Sequence, residues 1–524
     1  MEPTTHKPEP GSSPVGRVYL VGAGPGDPGL LTLHGRECLR QAEVVLYDRL
    51  ACEELLAMAP PEAELIGVGK APGAHQATQE EINALLVEKA RAGRVVVRLK
   101  GGDPFLLGRG GEEALALQAE GLACEVVPGV SSAFAAPEMA GIPVTHRGRA
   151  TSLAVVTGHE AEGTAGSVDW ERLAGTVDTI VILMGVANWP SIQDRLLQGG
   201  LPPDTPVAFV ERGTTPQQRS LYTTLGVAAA EGQAWGLSSP AVIVVGKVAE
   251  LGPALNWFER LPLKGKTILV PRPEAQAQEL SARLRRLGAL PVVIPAIEIV
   301  PPTDFGPLDR LLGEISGADW LVFTSSNAVS AVLERLWDLG RDVRALAGPK
   351  IAAIGQRTAR TLEERGLRVE LIPAESTSEG LARELVQLGV RGKAIALPLS
   401  AQSADVLARE LKKAGAHVRA ASAYQTRPAL DDAERLRALV DSGRLDAVVF
   451  TSASCVQSFV LTTGHQGVAA LCNGVISACM GPFTAEAARA SGFEPTIVAG
   501  EASAAGLAQA LVQAFEDKTE LEVR

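Results

Sequence analysis

Short runs of apolar, often β-branched residues alternate with amphipathic segments along most of the chain. In the first half these runs predict strands at residues 17–22, 44–47, 94–99, 152–157, 179–183, 206–210 and 241–245. Helical patterns lie between several of them, for example at 79–92 and 111–121. Because strands that alternate with helices are typical of α/β folds, we predict an α/β protein with largely parallel sheets.

The alternating pattern pauses in a stretch that contains Pro253 and Pro262, and a fresh strand pattern begins at Thr267. The N-terminal end is polar and proline-rich without an apolar segment, so we expect a disordered tail there and not a signal peptide. The predicted segments are a tail at 1–14, a first domain at 15–250, a linker at 251–264, a second domain at 265–515 and a tail at 516–524.

The second half of the chain repeats itself after about 125 residues. The sequence DWLVFTSSNAV at 319–329 returns as DAVVFTSASCV at 446–456. Likewise, IAAIGQRTARTLEERG at 351–366 returns as ISACMGPFTAEAARASG at 476–492. A repeat of this length predicts two similar α/β lobes.

Composition and charge exclude several classes of protein. The chain has 524 residues, of which 46% are hydrophobic, so it can bury a large core. A formal net charge of −11 without blocks of lysine and arginine argues against nucleic acid as a partner, because such binding requires neutralised phosphates. None of the six cysteines forms a C-x-x-C pair, so we expect neither a metal site nor a disulfide scaffold. Because free thiols are typical of reducing compartments, we expect a cytoplasmic location. No run approaches the ~18 apolar residues of a membrane span, so we expect no membrane partner.

The glycine-rich turn after the first predicted strand imitates a dinucleotide-binding fingerprint, with Asp48 at the end of the next strand. The spacing fails, because Asp27 stands where the third glycine belongs. Pro25 and Pro28 also interrupt the helix start that would hold a pyrophosphate. A dinucleotide cofactor is therefore not expected.

A series of longer motifs fills the first half. They are VGAGPGDPGLLTL from Val21, VVLYDRL ending at Leu50, VGK ending at Lys70, VVRLKGGDPFLLGRGGEEA from Val96, VVPGVSSAFAAPEMAGIPVTHR from Val126, TGH from Thr157 and LMG from Leu183. In this order they closely resemble the uroporphyrinogen-III C-methyltransferases of the tetrapyrrole methyltransferase family. The resemblance implies two α/β domains with S-adenosylmethionine (SAM) in the cleft between them, uroporphyrinogen III as substrate, and a homodimer formed through this half.

The same resemblance assigns roles to particular residues. Asp48 and Lys70 match the proposed proton acceptor and donor. The implied SAM contacts are Pro25, Gly101, Gly102, Asp103, Leu106, Ser131, Ser132, Met184 and Gly213. The cations available for substrate carboxylates are Arg98, Lys100, Arg109, His146, Arg147 and Arg149. Plain structural alternatives remain open for each: a turn for the glycines, a helix cap or an ion pair for Asp48, and surface salt bridges for the cations.

Beyond residue 265, hydroxyl-bearing residues follow the ends of the predicted strands: Thr324, Ser325, Thr358, Thr451, Ser452 and Thr484. In parallel α/β sheets ligands bind at these ends, where helix N-termini offer N–H groups to anions. Two such lobes predict a cleft for a polyanion.

The motifs KTILVPRP, FTSSNAV, IGQRTA, AYQTRP, VVFTSAS and MGPFTA, in this order, resemble uroporphyrinogen-III synthase. The resemblance implies two lobes joined by a two-stranded hinge, one made of 266–295 with 427–515 and the other of 298–424. It also implies that hydroxymethylbilane is the substrate, that Tyr424 assists departure of its hydroxyl group, and that Thr358 and Thr484 bind its carboxylates. As alternatives, Tyr424 packs in the hinge and the two threonines cap helices.

The two resemblances support each other, because the product of the second half is the substrate of the first. We therefore predict a bifunctional enzyme that cyclises hydroxymethylbilane to uroporphyrinogen III and methylates it at C2 and C7 to give precorrin-2, for sirohaem or cobalamin. Two alternatives remain open. The second half could be a non-catalytic, two-lobed ligand-binding or regulatory module, or the first half could methylate another precorrin.

Overall fold

The computed structural model describes residues 16–48, 53–69, 78–159, 168–401, 406–429 and 433–523. The chain divides into two compact units. The first ends at Gly265 and also holds Leu287–Leu290, and the second holds the remainder from Lys266 onward. Lys70 and the predicted tail at 1–14 lie outside the described residues.

The first unit begins with a parallel α/β domain. Its strands are β1 (Arg17–Gly22), β2 (Val44–Tyr47), β3 (Glu64–Gly67), β4 (Val95–Lys100) and β5 (Cys124–Val127). Its helices are α1 (Leu33–Arg40), α2 (Glu53–Leu56), α3 (Gln79–Arg91), α4 (Gly110–Ala119) and α5 (Ser132–Met139). The sheet order is β3-β2-β4-β1-β5 and every pair is parallel, so all five strands end at one edge.

A second domain completes the first unit. Its strands are β6 (Leu153–Thr157), β7 (Thr179–Leu183), β8 (Pro206–Glu211), β9 (Arg219–Thr224) and β10 (Ala241–Val245). Its helices are α6 (Trp170–Leu173), α7 (Trp189–Gln198), α8 (Ala228–Trp235) and α9 (Gly252–Leu255). The order is β6-β7-β10-β8-β9, and only β6 and β7 are parallel neighbours. The prediction of largely parallel sheets is wrong for this domain, because β9 forms a hairpin with β8 at the sheet edge and β10 runs against both of its neighbours.

Residues 251–264, for which the sequence predicts a linker, contain α9 and pack on the first unit. The Lys264 ammonium donates hydrogen bonds to the backbone oxygens of Pro216 and Gln218, at 2.5 and 2.8 Å. The Asn256 amide donates to the Tyr222 hydroxyl at 3.0 Å. This segment is therefore part of the domain that precedes it.

The second unit contains two five-stranded sheets. Its strands are β11 (Thr267–Val270), β12 (Leu290–Val293), β13 (Ile297–Val300), β14 (Trp320–Phe323), β15 (Lys350–Ala353), β16 (Ala394–Ser400), β17 (His417–Pro428), β18 (Ala447–Phe450), β19 (Ile476–Cys479) and β20 (Ile497–Val498). Its helices are α10 (Glu274–Arg286), α11 (Gly306–Gly313), α12 (Ser326–Asp338), α13 (Gln356–Glu363), α14 (Ser378–Gln387), α15 (Val406–Lys413), α16 (Ala433–Asp441), α17 (Ala453–Cys472), α18 (Pro482–Ala490) and α19 (Ala504–Val523).

The two sheets define two lobes. The terminal lobe is built on the sheet β12-β11-β18-β19-β20, in which β11 pairs with β18 from near the end of the chain. The central lobe is built on β13-β17-β16-β14-β15. Where the chain passes between the lobes, β13 and the end of β17 pair antiparallel, from Ile297 with Pro428 to Val300 with Gln425. The predicted two-lobed α/β architecture with a two-stranded connection is confirmed.

The internal repeat corresponds to equivalent strand–helix turns in the two lobes. Ser325 caps α12 and Ser452 caps α17 with their side-chain hydroxyls, while Gly355 and Gly481 occupy the same positions at α13 and α18. No helix in the described ranges is both long enough and apolar enough to cross a membrane.

Candidate functional site

The parallel sheet of the first unit brings three backbone turns together at its carboxyl edge. A Cβ on Gly129 would lie 2.3 Å from the Gly102 carbonyl oxygen and 2.6 Å from the Gly22 Cα. Gly102 has a φ of 68° and its N–H donates to the Gly24 carbonyl oxygen at 2.8 Å. Glycine is therefore required for the turns after β1, β4 and β5 to approach each other this closely.

Asp103 joins two of these turns. Its carboxylate accepts the Phe105 N–H at 2.8 Å and the Gly129 N–H at 3.0 Å. Ser131 continues the same edge, where it is buried and caps α5 by accepting the Ala133 N–H at 3.2 Å. The predicted SAM-binding residues near β4 and β5 are thus adjacent, and backbone groups form most of the surface between them.

Loops of the second domain lie against this edge. The Asp27 N–H donates to the Thr214 hydroxyl at 3.2 Å, and a Cβ on Gly213 would lie 2.3 Å from that of Ala136 in α5. Met184 follows β7 and is 53% exposed. Pro25, Gly101, Leu106 and Ser132, the other predicted SAM contacts, are half-buried on the loops after β1 and β4 and at the start of α5.

Backbone strain is concentrated in these loops. Among the described residues, those other than glycine with a left-handed φ are Leu107, Arg109, Met184, Arg212 and Thr214. All five lie in the loops that follow β4, β7 and β8. Such strain costs of order 1–3 kcal/mol per residue and is concentrated at functional sites, which favours this cleft as the site of the first unit.

A buried charge network ends at Asp48. The Arg98 guanidinium donates to Asp48 Oδ1 at 2.5 Å and to Glu113 Oε1 at 3.1 Å. The Lys100 ammonium donates to the same Glu113 oxygen at 2.8 Å. Glu113 is fully buried, whereas the Asp48 side chain remains 32% exposed. Asp48 is therefore the end of the network that a ligand can reach.

The positions of Arg98 and Lys100 do not fit the expectation that they bind substrate carboxylates. Their side chains are only 3% and 4% exposed, because β4 is the central strand and this face packs under α3 and α4. Burial, followed by the positive charge of Arg98, lowers the pKa of Lys100. Both cations neutralise Glu113 inside the domain instead.

The remaining predicted cations are exposed or half-exposed, and most have partners. Arg109 pairs with Glu112 at 2.7 Å, and Arg149 pairs with Glu250 at 2.5 Å. His146 Nδ1 lies 2.8 Å from the Arg147 carbonyl oxygen. The Arg147 guanidinium forms no ion pair with any residue in the described ranges, so it is the most available cation of the set.

The second unit contains a cavity of about 860 Å³ between its two lobes. Tyr424, on β17, borders the cavity and is only 8% exposed. Its hydroxyl lies 3.1 Å from the Ser325 hydroxyl, which also accepts the Ala328 N–H at the start of α12. This places the predicted catalytic tyrosine beside the cavity, with its hydroxyl oriented by a helix cap.

The structure separates the predicted hydroxyl residues. None of the six is among the residues that line the cavity. Thr324 and Ser325 follow β14 and precede the lining residue Ser326, and Thr358 follows the lining residue Arg357, whereas Thr451, Ser452 and Thr484 have no lining residue beside them. Thr358 and Thr484 are buried in the first turns of α13 and α18. The alternative that these two threonines cap helices is wrong, because Gly355 and Gly481 hold the N-cap positions.

Several cavity residues escaped the sequence analysis. Gln276, Asn327 and Arg357 line the cavity, and Arg272 bonds to Gln276 at 2.7 Å. Arg272, Asn327 and Arg357 lie within the motifs VPRP, TSSN and GQRT. These positions therefore stand in the motifs themselves, next to the hydroxyl groups for which the sequence predicts substrate binding.

Comparison with known proteins covers both units. The family of tetrapyrrole (corrin/porphyrin) methylases matches residues 17–229, and the family of uroporphyrinogen-III synthase HemD matches residues 278–509. The porphyrin biosynthesis protein HemD of Ruminiclostridium josui is 39% identical over 474 residues, which cover 90% of this chain and 93% of that protein. A uroporphyrinogen-III C-methyltransferase of Bacillus subtilis (strain 168) is 42% identical over 364 residues, 69% of this chain and 74% of its own.

A solved structure also resembles the first half. The uroporphyrin III C-methyl transferase of Thermus thermophilus is 47% identical, with a TM-score of 0.39, and the match covers 45% of this chain and 99% of that one.

The fold and the two sites thus define a bifunctional enzyme of tetrapyrrole biosynthesis. The chain belongs to the tetrapyrrole methylases through its first unit and to the uroporphyrinogen-III synthases through its second, as a fusion of methyltransferase and synthase.

Proposed function

We propose that the first unit transfers methyl groups from SAM to C2 and C7 of uroporphyrinogen III, giving precorrin-2. The observation that carries this proposal is the meeting of Gly22, Gly102 and Gly129 at the sheet edge where β2 presents Asp48. Such an edge offers backbone N–H and C=O groups to a donor molecule and one reachable carboxylate to the acceptor.

The residues present fit an adenosyl donor. A Cβ at Gly129 or Gly213 would clash with neighbouring atoms at 2.3 Å, so these loops can pack closely only because they lack side chains. SAM would be held by Pro25, Gly101, Gly102, Asp103, Leu106, Ser131, Ser132, Met184 and Gly213. When bound, it supplies a methyl group activated by a positively charged sulfur.

The chain's own part in this reaction is to orient the substrate and to accept a proton. Asp48 Oδ1 is occupied by Arg98, while Oδ2 has no hydrogen bond with any described residue. We assign Asp48 Oδ2 as the acceptor of the proton that the methylated macrocycle loses. Arg147, with Arg109, His146 and Arg149, would bind the substrate carboxylates, and Lys70 remains the proposed proton donor.

For the second unit, we propose that it cyclises hydroxymethylbilane to uroporphyrinogen III with inversion of ring D. Support comes from Tyr424, whose buried hydroxyl beside the cavity lies 3.1 Å from Ser325. The Tyr424 O–H would donate to the departing hydroxyl group of the substrate, which leaves as water when it gains a proton. Thr324, Ser325 and Thr358 of the central lobe, with Thr451, Ser452 and Thr484 of the terminal lobe, would bind carboxylates.

One experiment tests both proposals with the full chain. Hydroxymethylbilane and SAM are supplied together, and the product is analysed by mass and by isomer. We expect a type III macrocycle that has gained two methyl groups. Methylation of added uroporphyrinogen III, with only the type I isomer formed from hydroxymethylbilane, would instead make the second unit a ligand-binding or regulatory module. A different number of methyl groups would favour another precorrin as substrate.

The location and assembly of the enzyme are also proposals. We propose a cytoplasmic enzyme that forms a homodimer through the first unit and serves sirohaem or cobalamin synthesis. Sedimentation equilibrium of the full chain tests the assembly, since a monomer at assay concentrations would contradict it.

A further inference from the structure

Arg272 is a half-buried cation in the terminal lobe without an acidic partner in the described part of the chain. It follows β11, and its guanidinium donates a hydrogen bond to the Gln276 side-chain oxygen at 2.7 Å. Half-buried arginines are normally neutralised by a carboxylate, because a desolvated charge is costly. The neutral amide of Gln276 accepts a hydrogen bond from Arg272 but does not compensate its positive charge.

Gln276 extends this contact across the gap between the lobes. Its side-chain amide donates to Asn327 Oδ1 at 3.0 Å, and Asn327 lies on α12 in the central lobe. Both side chains line the cavity that Tyr424 borders. Arg272 is therefore held at the place where the two lobes meet the cavity.

A second cation approaches from the central lobe. Arg357 lies in the first turn of α13, is exposed and lines the same cavity. It forms no ion pair within the described ranges. Burial and then the positive charge of Arg357 lower the pKa of Arg272 to about 10. Arg272 bonds to Gln276, and Gln276 lines the same cavity as Arg357, so two like charges approach this cavity from different lobes.

The acidic residues of the cavity do not neutralise this pair. Glu298, Glu334 and Asp338 line it, but none of them forms an ion pair with Arg272 or Arg357. The cavity's other arginine, Arg335, is already paired with Asp309 at 2.8 Å. Arg357, which lines the cavity, and Arg272, which bonds to the lining residue Gln276, are therefore the two cations here without a carboxylate partner among the described residues.

We propose that Arg272 and Arg357 bind the same carboxylate of the linear tetrapyrrole, one from each lobe, so that substrate binding draws the lobes together. This inference rests on the proposed synthase function. A carboxylate has two oxygens and accepts the parallel N–H groups of a guanidinium, so it can satisfy two arginines at once. Because each arginine belongs to a different lobe, the shared anion replaces their repulsion with attraction.

Four variants of the full chain test the proposal: Arg272→Gln, Arg357→Gln, the double variant and the control Arg360→Gln. Arg360 is exposed on α13 and does not line the cavity. We expect each single variant to lower kcat/KM for hydroxymethylbilane by about 10- to 100-fold, through KM, while the control keeps the parent value. Since both arginines would hold one group, the double variant should lose little more than either single variant.

The outcomes separate this inference from the proposed function. A parent enzyme that forms no type III isomer overturns the synthase proposal itself. An active parent with an unchanged KM in Arg357→Gln overturns the arginine pair, and so do single effects that multiply in the double variant. Arg357 is exposed, so its variant remains informative even where Arg272→Gln folds poorly. A fifth variant, Arg357→Lys, should recover part of the loss, because it restores the charge without the guanidinium fork.

Discussion

Arg98 donates a hydrogen bond to Asp48 across the end of the first sheet, at 2.5 Å from Nη2 to Oδ1. The contact joins a fully buried cation to a carboxylate that remains open to the cleft. Arg98 is in turn held by Glu113 at 3.1 Å, so the orientation of Asp48 is fixed by α4 through the strand between them. Arg98 therefore acts as a positioning residue for the proposed proton acceptor.

Replacing Arg98 should slow methyl transfer without weakening donor binding. We expect Arg98→Lys to lower the kcat for uroporphyrinogen III methylation by about 10-fold or more, because lysine cannot bridge Asp48 and Glu113 with one planar group. The Kd for SAM, measured by calorimetry, should stay within about twofold. The control is Arg94→Gln, since Arg94 precedes the same strand and pairs with Glu43 at the surface. A raised KM with an unchanged kcat would contradict the positioning role and would indicate that Arg98 binds the substrate.

Asp48→Asn should abolish methylation while the protein still binds SAM. The amide keeps the size of the carboxylate, but it cannot accept the proton that the substrate loses. We expect turnover to fall by roughly 100-fold or more, the usual range for loss of a general base. Single-turnover assays with mass detection give the rate, and calorimetry gives the Kd for SAM. Turnover at the parent rate would remove Asp48 from the mechanism.

Glu113 should be essential for the stability of the first unit. It is fully buried and neutralises two buried cations, while its second oxygen, Oε2, has no hydrogen-bond partner in the structure as described. Breaking a buried ion pair typically costs about 3–5 kcal/mol, so Glu113→Gln should lower the free energy of unfolding by a similar amount.

Urea unfolding followed by circular dichroism measures this change. The matched control is Glu112→Gln on the same helix, where the pair with Arg109 is exposed and worth at most about 1 kcal/mol. If both variants lost the same free energy of unfolding, burial of the Glu113 ion pairs would not increase their contribution to stability.

Close packing of the glycines gives a separate prediction for the donor site. Gly129→Ala places a Cβ 2.3 Å from the Gly102 carbonyl oxygen, so the turns after β4 and β5 must move apart. We expect the Kd for SAM to rise by about 10-fold or more, because positioning groups lose their effect when displaced by about 1 Å. Gly111→Ala in α4 meets nothing within 4 Å and serves as the control. Unchanged SAM binding by Gly129→Ala would place the donor elsewhere.

The sequence predicts where the residues at the strand ends lie, but it does not predict that Arg98 and Glu113 are buried as an ion pair. Asp48 and Gly102 follow recognisable apolar strands, so their convergence at one sheet edge follows from parallel pairing. Arg98 lies within the apolar run VVVRLK, and this run predicts a strand. The run does not show that Arg98 pairs with Glu113 on α4. Charged residues are usually on surfaces, so burial here depends on a pairing distant in sequence.

In the second unit, too, the sequence predicts some features and not others. The internal repeat predicts the two lobes, and the motif AYQTRP contains Tyr424. Arg357 and Arg272, through its partner Gln276, reach one cavity only because the chain crosses twice between the lobes through β13 and β17. The sequence pattern does not show that crossing, so it does not predict that Arg272 and Arg357 serve the same cavity.

Acid should remove the contribution that Asp178 makes to the stability of the first unit. Its carboxylate accepts hydrogen bonds from the backbone N–H and side-chain hydroxyl groups of Thr151 and Ser152, at 2.8 to 3.1 Å. The Thr151 N–H, then the Ser152 hydroxyl and N–H, lower the pKa of Asp178 to about 2. A folded-state pKa below the unfolded value of about 3.8 means that stabilisation is present above that value and disappears as the pH falls towards 2.

Asp178→Asn should therefore be less stable than the parent at pH 6, and the difference should shrink between about pH 4 and pH 2. Urea midpoints measured at several pH values check this, with Asp204→Asn as the control because Asp204 is exposed and forms no hydrogen bond within the described ranges. Since the hydrogen bonds of Asp178 tie the start of β6 to β7, the loss should be seen in the second domain by hydrogen exchange. A stability difference that is constant from pH 6 to pH 2 would contradict the ionised carboxylate as its source.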